Sequence, residues 1–351
     1  MNNLSEVVIT GMGVVSPIGI GVDHFWNSLV RRHGEIGLSG AYRLEDVRRA
    51  PGLPYPLVAE IKNFDTKRIQ AWKNMRRNIK VMSRDAQIGF VAADYAREDA
   101  RLDAAPVEPE RQGILYGAMM TLVNLDELID LFRASMDENR RFVMEILGNG
   151  FNTVYPLWML KYLPNMTPCH IGIAYDLRGP SNTLVNGETA GIGALLEATR
   201  VIRRGQADLM YAGGTSSCVY PMAWKRFQVY GLSSHVENPA EAVRPFDARR
   251  DGVVFGEGAA ACVLESRESA EKRGVKIHGK ILGWGETSES AWNQPIGLQK
   301  QPENVALNPE LFTGKSIENA IRRAVEHSGL KKEEIAFVVA CGYGSLYGNK
   351  V

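Results

Sequence analysis

Short apolar runs recur along this chain, most of them closing on glycine, with helical patterns between them. That alternation constrains the fold more than any other feature. The runs are 7–13 (VVITGMG), 113–118 (GILYGA), 170–175 (HIGIAY), 181–187 (SNTLVNG), 208–214 (DLMYAGG), 258–265 (GAAACVLE), 276–285 (KIHGKILGWG) and 335–342 (IAFVVACG). Their length and their β-branched or small side chains suit buried strands. Apolar residues at helical spacing mark helices over 23–32, 78–100, 124–136, 191–204 and 316–328. Proline-rich 50–55 reads as a loop. Strands alternating with helices make the class α/β, with a mostly parallel, buried sheet.

Composition narrows the function. Of 351 residues, 35 are glycine, so many tight turns or close backbone approaches are expected. Lys plus Arg is 41 and Asp plus Glu is 40, a net charge of +1. This balance argues against a nucleic-acid groove or a polybasic membrane surface. Cys169, Cys218, Cys262 and Cys341 form no CxxC pair, so they read as reduced, mostly buried thiols of a cytoplasmic protein with no metal site. No basic leader precedes the first strand, and no apolar run reaches membrane-spanning length. Nothing in the sequence calls for a cofactor.

A weak internal repeat adds a constraint. Residues 8–13 (VITGMG) match 280–285 (KILGWG), and each copy is followed by a helix and then a strand ending in glycine. The division expected is 1–265 for a first half with cap insertions and 266–351 for the start of a second. That second half is expected to run on past Val351 with another helix and closing strands.

Residues 185–191 form a sharp strand-to-helix turn of small residues, a setting that presents one side chain at a helix N-terminus. A cysteine there becomes a low-pKa nucleophile. The exposed position holds Glu188. On spacing alone it reads as a first-turn acid, stabilising the helix by about 0.3–1 kcal/mol.

Several blocks together resemble the β-ketoacyl synthases of the thiolase superfamily: 7–13 with 16–19 (SPIG), Asn165-Met166, 177–180 (LRGP), 203–208 (RRGQAD), 212–214 (AGG), 244–247 (RPFD), 250–252 (RDG) and 256–258 (GEG). The resemblance runs from Val7 to Lys350. It implies a thiolase-like, layered α-β-α-β-α fold from an internal duplication, with the second half incomplete. It also places the family's nucleophilic cysteine at Glu188 and its first catalytic histidine at Cys341. None of the six histidines falls at a catalytic motif position. His170 reads as a buried structural residue and His327 as a favourable charge at a helix C-terminus. Claisen condensation needs a thiolate to carry the acyl chain and imidazoles to stabilise the enolate, so no catalytic set is intact.

Within this family, the chain length factors (ketosynthase β subunits) of bacterial type II polyketide synthases lack the cysteine, often with glutamine in its place. The resemblance therefore implies a non-condensing subunit. It would form a heterodimer with a cysteine-bearing ketosynthase α subunit, hold the polyketide chain in a tunnel at their interface, and receive substrate from an acyl carrier protein. The tunnel residues implied are Thr121, Asn124, Leu125 and Leu128, on one helix face, with Met119 and Met120 before them. Spacing alone reads that face as ordinary core. The basic pairs Arg76-Arg77, near Lys80, and Arg203-Arg204 are candidates for carrier docking. Two alternatives stay open. One is a malonyl carrier-protein decarboxylase that generates starter units. The other is a stabilising partner of an aryl-polyene or glycolipid ketosynthase.

Overall fold

The computed structural model describes residues 5–30, 41–43, 57–119, 123–227, 233, 242–288 and 314–342. The expected loop at 50–55 lies outside them. The strands are β1 (Val7–Ser16), β2 (Gly19–Ile20), β3 (Ala41–Arg43), β4 (Leu57–Ala59), β5 (Gln112–Ala118), β6 (Ser181–Leu184), β7 (Leu209–Ser217), β8 (Phe255–Ser266) and β9 (Gly279–Lys280). The main sheet runs β2-β1-β8-β7-β5-β6.

The sheet is mixed, which corrects the expectation of a mostly parallel one. β6, β5 and β7 run parallel, whereas β7, β8 and β1 run antiparallel. The reason lies on the faces. Both are covered by helices, so antiparallel strands here are as uniformly apolar as parallel ones, and hydrophobicity does not reveal direction. Ile114, Tyr116, Leu209, Tyr211 and Val263 point to the side of the Arg84–Asp99 helix. The alternate residues Leu115, Met210, Ala212 and Leu264 point to the side of the Ala190–Arg203 helix. This period of two places one helical layer on each face.

The Arg84–Asp99 helix begins where Ser83 accepts a hydrogen bond from the Ala86 N–H at 3.2 Å. It presents Ala92, Ala93 and Ala96, all fully buried, so it sits close to the sheet. Gly11 and Gly13 of β1 complete that approach: a Cβ on either would collide with the Ala96 or Ala92 carbonyl. The same contact occurs a second time. Gly283 and Gly285 meet the Lys315–Ser328 helix, where a Cβ would collide with the backbone at Ala324 or Ala320. The repeated GxG units therefore dock equivalent helices, with the contacts one helical turn apart in each.

The two copies also touch. β9 pairs antiparallel with β1, Val8 opposite Lys280 and Ile9 opposite Gly279. Val7 accepts from the Ile281 N–H at 3.1 Å. Val8 and Lys280 are counterparts in the sequence repeat, so the copies meet about a local two-fold axis.

Other expectations need correction. Residues 170–175 are not a strand but the end of the Met166–Tyr175 helix, stopped by Asp176 at φ 55°. A short apolar run does not distinguish a buried helix from a strand, and Pro168 in the first turn is compatible with helix. The expected helix over 78–100 is a 3-10 turn, Asn78–Val81, followed by the longer helix, and that over 124–136 is a 3-10 turn, Leu125–Leu128, followed by Ile129–Ala134. Residues 335–342 adopt no regular structure. Phe337 and Val339 are 78% and 85% exposed, with no strand beside them among the described residues. Of the four free cysteines only Cys218 is buried, and Cys341 is exposed. His170 is buried as expected.

Gly13→Ala should lower stability by about 1–3 kcal/mol, because the methyl must push two backbones apart. Gly172 has nothing within 4 Å of a built Cβ and lies in a helix, so Gly172→Ala should be neutral or gain about 0.5–1 kcal/mol. Urea midpoints of the two variants check both.

Candidate functional site

Glu188 stands on a turn fixed by backbone contacts. After β6, Gly187 takes φ 63°, a single 3-10 turn covers Gly187–Thr189, and the Ala190–Arg203 helix follows. Thr189 closes the turn by donating to the Asn186 carbonyl at 3.0 Å. Gly117 has no room for a Cβ against the Ala190–Gly191 peptide. Gly214 on β7 would carry a Cβ 2.9 Å from the Gly191 Cα. Gly117 near the end of β5 and Gly214 within β7 thus seat the start of this helix directly, with no side chain between.

A cavity of about 500 Å³ opens beside the turn. Met119, Leu195, Ala212, Ser216, Ala260 and Cys262 line it with Glu188, the one charged side chain in its wall. The surroundings are small and apolar, shaped to admit a chain and not to bind a charge. No nucleophile replaces the missing cysteine. Burial pushes the Cys262 thiol up to about 11. Cys218 lies behind Met119, with its Sγ 3.8 Å from the Met119 Sδ. It too is pushed up to about 11, first by burial and further by the negative charges of Asp85 and Glu188, with Ser216 opposing. At neutral pH both are thiols, not thiolates. Among the described residues, no histidine lines the cavity, and Cys341 is not in its wall.

The implied tunnel residues separate. Met119 joins Glu188 in the cavity. Asn124 lines a second pocket and accepts from the Asp126 N–H at 3.2 Å. Leu125 is 40% exposed and Leu128 is buried, although both lie in the 3-10 turn Leu125–Leu128. Met120 and Thr121 lie outside the described residues. Arg204 is committed to Glu197 at 2.7 Å, and Arg203 stacks over Trp284 beside His327, so this pair is not a free docking cluster. Arg76, Arg77 and Lys80 are exposed.

One feature escaped the sequence reading. Asp85, in the first turn of the Arg84–Asp99 helix, lines the second pocket, a polar space of about 200 Å³. Desolvation, with help from Glu257, raises its carboxyl to about 7, against the pull of its own N–H and of Arg84. The residue before it, Arg84, is bound to the buried Glu257 at 2.8 Å. An acid in a first helical turn normally faces solvent, so the sequence carries no signal that this one is buried.

The layered architecture and the glycine-seated strand-to-helix turn define a thiolase-like ketosynthase fold. The family model for the β-ketoacyl synthase N-terminal domain matches residues 4–270, and the chain belongs to the β-ketoacyl synthase family. It is 29% identical over 351 residues to a 3-oxoacyl-[acyl-carrier-protein] synthase 2 of Staphylococcus aureus, covering 99% of this chain and 75% of that one. Among solved structures, a β-ketoacyl synthase from Burkholderia phymatum superposes with a TM-score of 0.77 at 26% identity, covering 98% of this chain and 76% of that one. The ishigamide ketosynthase/chain length factor superposes with a TM-score of 0.70, also at 26% identity, covering 98% and 75%. Among the described residues, no helix is long and apolar enough to cross a membrane.

Two outcomes are expected. A carboxyl raised to about 7 in the fold contributes stability that is complete below its unfolded value and lost as pH rises through 7. Asp85→Asn removes that dependence, so the variant should gain on the wild type by on the order of a few kcal/mol between about pH 4 and 8. Arg84, Glu257, Glu127, Lys161, Tyr162, Tyr220 and Cys218 are the ionisable neighbours and stay unchanged in the comparison. Denaturant titrations across that range measure it. Second, iodoacetamide at about pH 7.5 should label Cys341 well before Cys218 or Cys262, as read by peptide mass spectrometry.

Proposed function

We propose that this chain is a non-condensing, chain-length-factor-like subunit that pairs with a cysteine-bearing ketosynthase and shapes the tunnel for its growing polyketide. One observation carries the reading: a glutamate occupies the presenting position of the nucleophile turn, inside an otherwise apolar cavity. A carboxylate is a poor acceptor for thioester exchange, since the mixed anhydride lies uphill of the thioester. It also repels an incoming malonyl carboxylate. Cys341 at the histidine position removes the second element of condensation.

A large apolar face supports pairing. Phe132, Met136, Phe142, Met144, Phe151 and Met159 are all exposed on the segment between β5 and β6. β6 lies at the end of the main sheet's strand order. Exposed apolar area next to an open sheet edge is what an obligate partner covers. The Staphylococcus aureus relative acts on acyl-carrier-protein substrates by name, and a carrier protein is the proposed source of the chain here. The exposed Arg76, Arg77 and Lys80 suit an acidic carrier. The proposed setting is cytoplasmic, and the proposed division of the chain remains 1–265 and 266–351.

Co-expression with a cysteine-bearing ketosynthase should give a stable heterodimer that makes product with a carrier protein, whereas this chain alone makes none. Met119→Trp in that pair should shorten the product by one or more two-carbon units, read by liquid chromatography and mass spectrometry. An unchanged product distribution removes Met119 from the tunnel. Glu188→Cys should leave this chain unable to condense by itself. Condensation by the chain alone, or a failure to form any heterodimer, refutes the reading.

A further inference from the structure

Three carboxylates are buried among the described residues: Asp85, Glu257 and Glu265. Two are saturated. Glu257 takes the Arg84 guanidinium, the Ser217 hydroxyl at 2.9 Å and the Ile61 N–H at 2.9 Å. Glu265 takes Arg273, the Thr10 hydroxyl at 2.6 Å and the Ser269 hydroxyl at 3.1 Å. Asp85 is only 9% exposed, yet no other residue's group bonds to its carboxyl; its own N–H is its only local support. It faces the pocket of about 200 Å³.

The rest of that pocket indicates what fits. Its cations are committed, Arg84 to Glu257 and Lys161 to Glu127 at 2.5 Å. Burial raises the Tyr162 and Tyr220 phenols, so both are O–H groups at neutral pH; the Tyr162 hydroxyl is engaged by Glu127 and by the Asn124 N–H at 3.3 Å, which leaves Tyr220 and the Asn124 amide as the neutral donors. The Asn124 carbonyl oxygen serves Asp126, and no protein partner takes its amide hydrogens. The pocket thus offers neutral donors and acceptors and no spare positive charge. A carboxylate guest meets no cation, and an alkyl guest leaves Asp85 unpaired in a desolvated place. An uncharged carbonyl or hydroxyl satisfies both conditions. The volume is below the roughly 300–1,000 Å³ of a whole-ligand site, so it takes a segment of a longer molecule. The pocket adjoins the cavity, because Thr215 in the cavity wall donates its hydroxyl to the Asp85 carbonyl at 2.8 Å.

We propose that the pocket of Asp85, Asn124, Tyr162 and Tyr220 is a polar subsite for an oxygenated segment of the acyl chain. The subunit then serves a chain that keeps β-carbonyl or β-hydroxyl groups, not a fully reduced alkyl chain. This rests on the proposed tunnel-shaping role and names its substrate class.

The test uses the full chain alone, titrated calorimetrically with S-acetoacetyl-N-acetylcysteamine and with S-butyryl-N-acetylcysteamine. The acyl groups have equal carbon count and differ in the β-carbonyl. The acetoacetyl probe should bind about tenfold tighter or more. Asp85→Leu should abolish the preference by weakening that probe alone. Asp85→Asn, which keeps a donor and an acceptor, should retain most of it. If Asp85→Leu does not fold, Tyr220→Phe serves instead and should reduce the preference several-fold. Equal affinities in the wild type, a preference that survives Asp85→Leu or Tyr220→Phe, or no binding of either probe would overturn the proposal. Because no partner is needed, the result is separable from the pairing test. A preference without heterodimer formation keeps the subsite and removes the tunnel role, and heterodimer formation without a preference does the reverse.

Discussion

The region around Glu188 depends on backbones meeting with nothing between them. Gly117 against the Ala190–Gly191 peptide, and Gly214 against Gly191, seat the helix start on β5 and β7. Gly213 adds a further close approach, facing the Ala260 carbonyl of β8. A methyl at any of these places would lift the turn off the sheet. The turn, the position it presents and the cavity beside it all follow from those glycines, and they account for part of the high glycine content. The side chain at 188 takes no part in this seating, so the geometry holds whichever residue stands there.

Buried charge is handled by the same scaffold in two ways. Glu257 joins β8 to β7 and to the start of the Arg84–Asp99 helix, and Glu265 joins β8 to β1 and to the Arg267–Arg273 helix. Both are fully hydrogen-bonded, as buried charges must be to persist. The bidentate Arg111–Asp208 pair, at 2.9 and 2.7 Å, likewise ties the loop before β5 to the start of β7. Asp85 and Glu188 are different. Neither ties one element to another, and each faces a cavity. Asp85 is buried without such a cross-link, and Glu188 stands exposed in the cavity wall.

Much of this was legible in the sequence. The strand at Val7, the GxG repeat, the helix after Ser83 and the turn at Glu188 are local patterns, and local patterns survive folding. What was lost depended on neighbours distant in the chain. Strand direction was hidden because both sheet faces are covered. The 170–175 run is too short for periodicity to separate helix from strand. The helix expected over 124–136 is interrupted by the 3-10 turn Leu125–Leu128, and the burial of Leu128 but not of Leu125 is set by neighbours that spacing does not reveal. Asp85 was invisible because its burial is supplied by Tyr162 and Tyr220, whose place beside it is set by the tertiary fold alone.

A carboxylate at the Glu188 turn is easy for the fold to accept. The Ala190–Arg203 helix directs the positive end of its dipole toward this turn, which favours a negative side chain. Residue 188 can therefore be a carboxylate without disturbing the glycine contacts that hold the turn. Beside the turn lies a cavity of about 500 Å³, and Thr215 in its wall bonds to the backbone of Asp85, which lines the polar pocket. Neither needs a nucleophile to act on a passing chain. In the proposed role, the cavity would limit its path by volume, and the pocket would distinguish oxygen from methylene by leaving Asp85 either satisfied or unpaired. Selectivity in such a subunit would come from desolvation and shape.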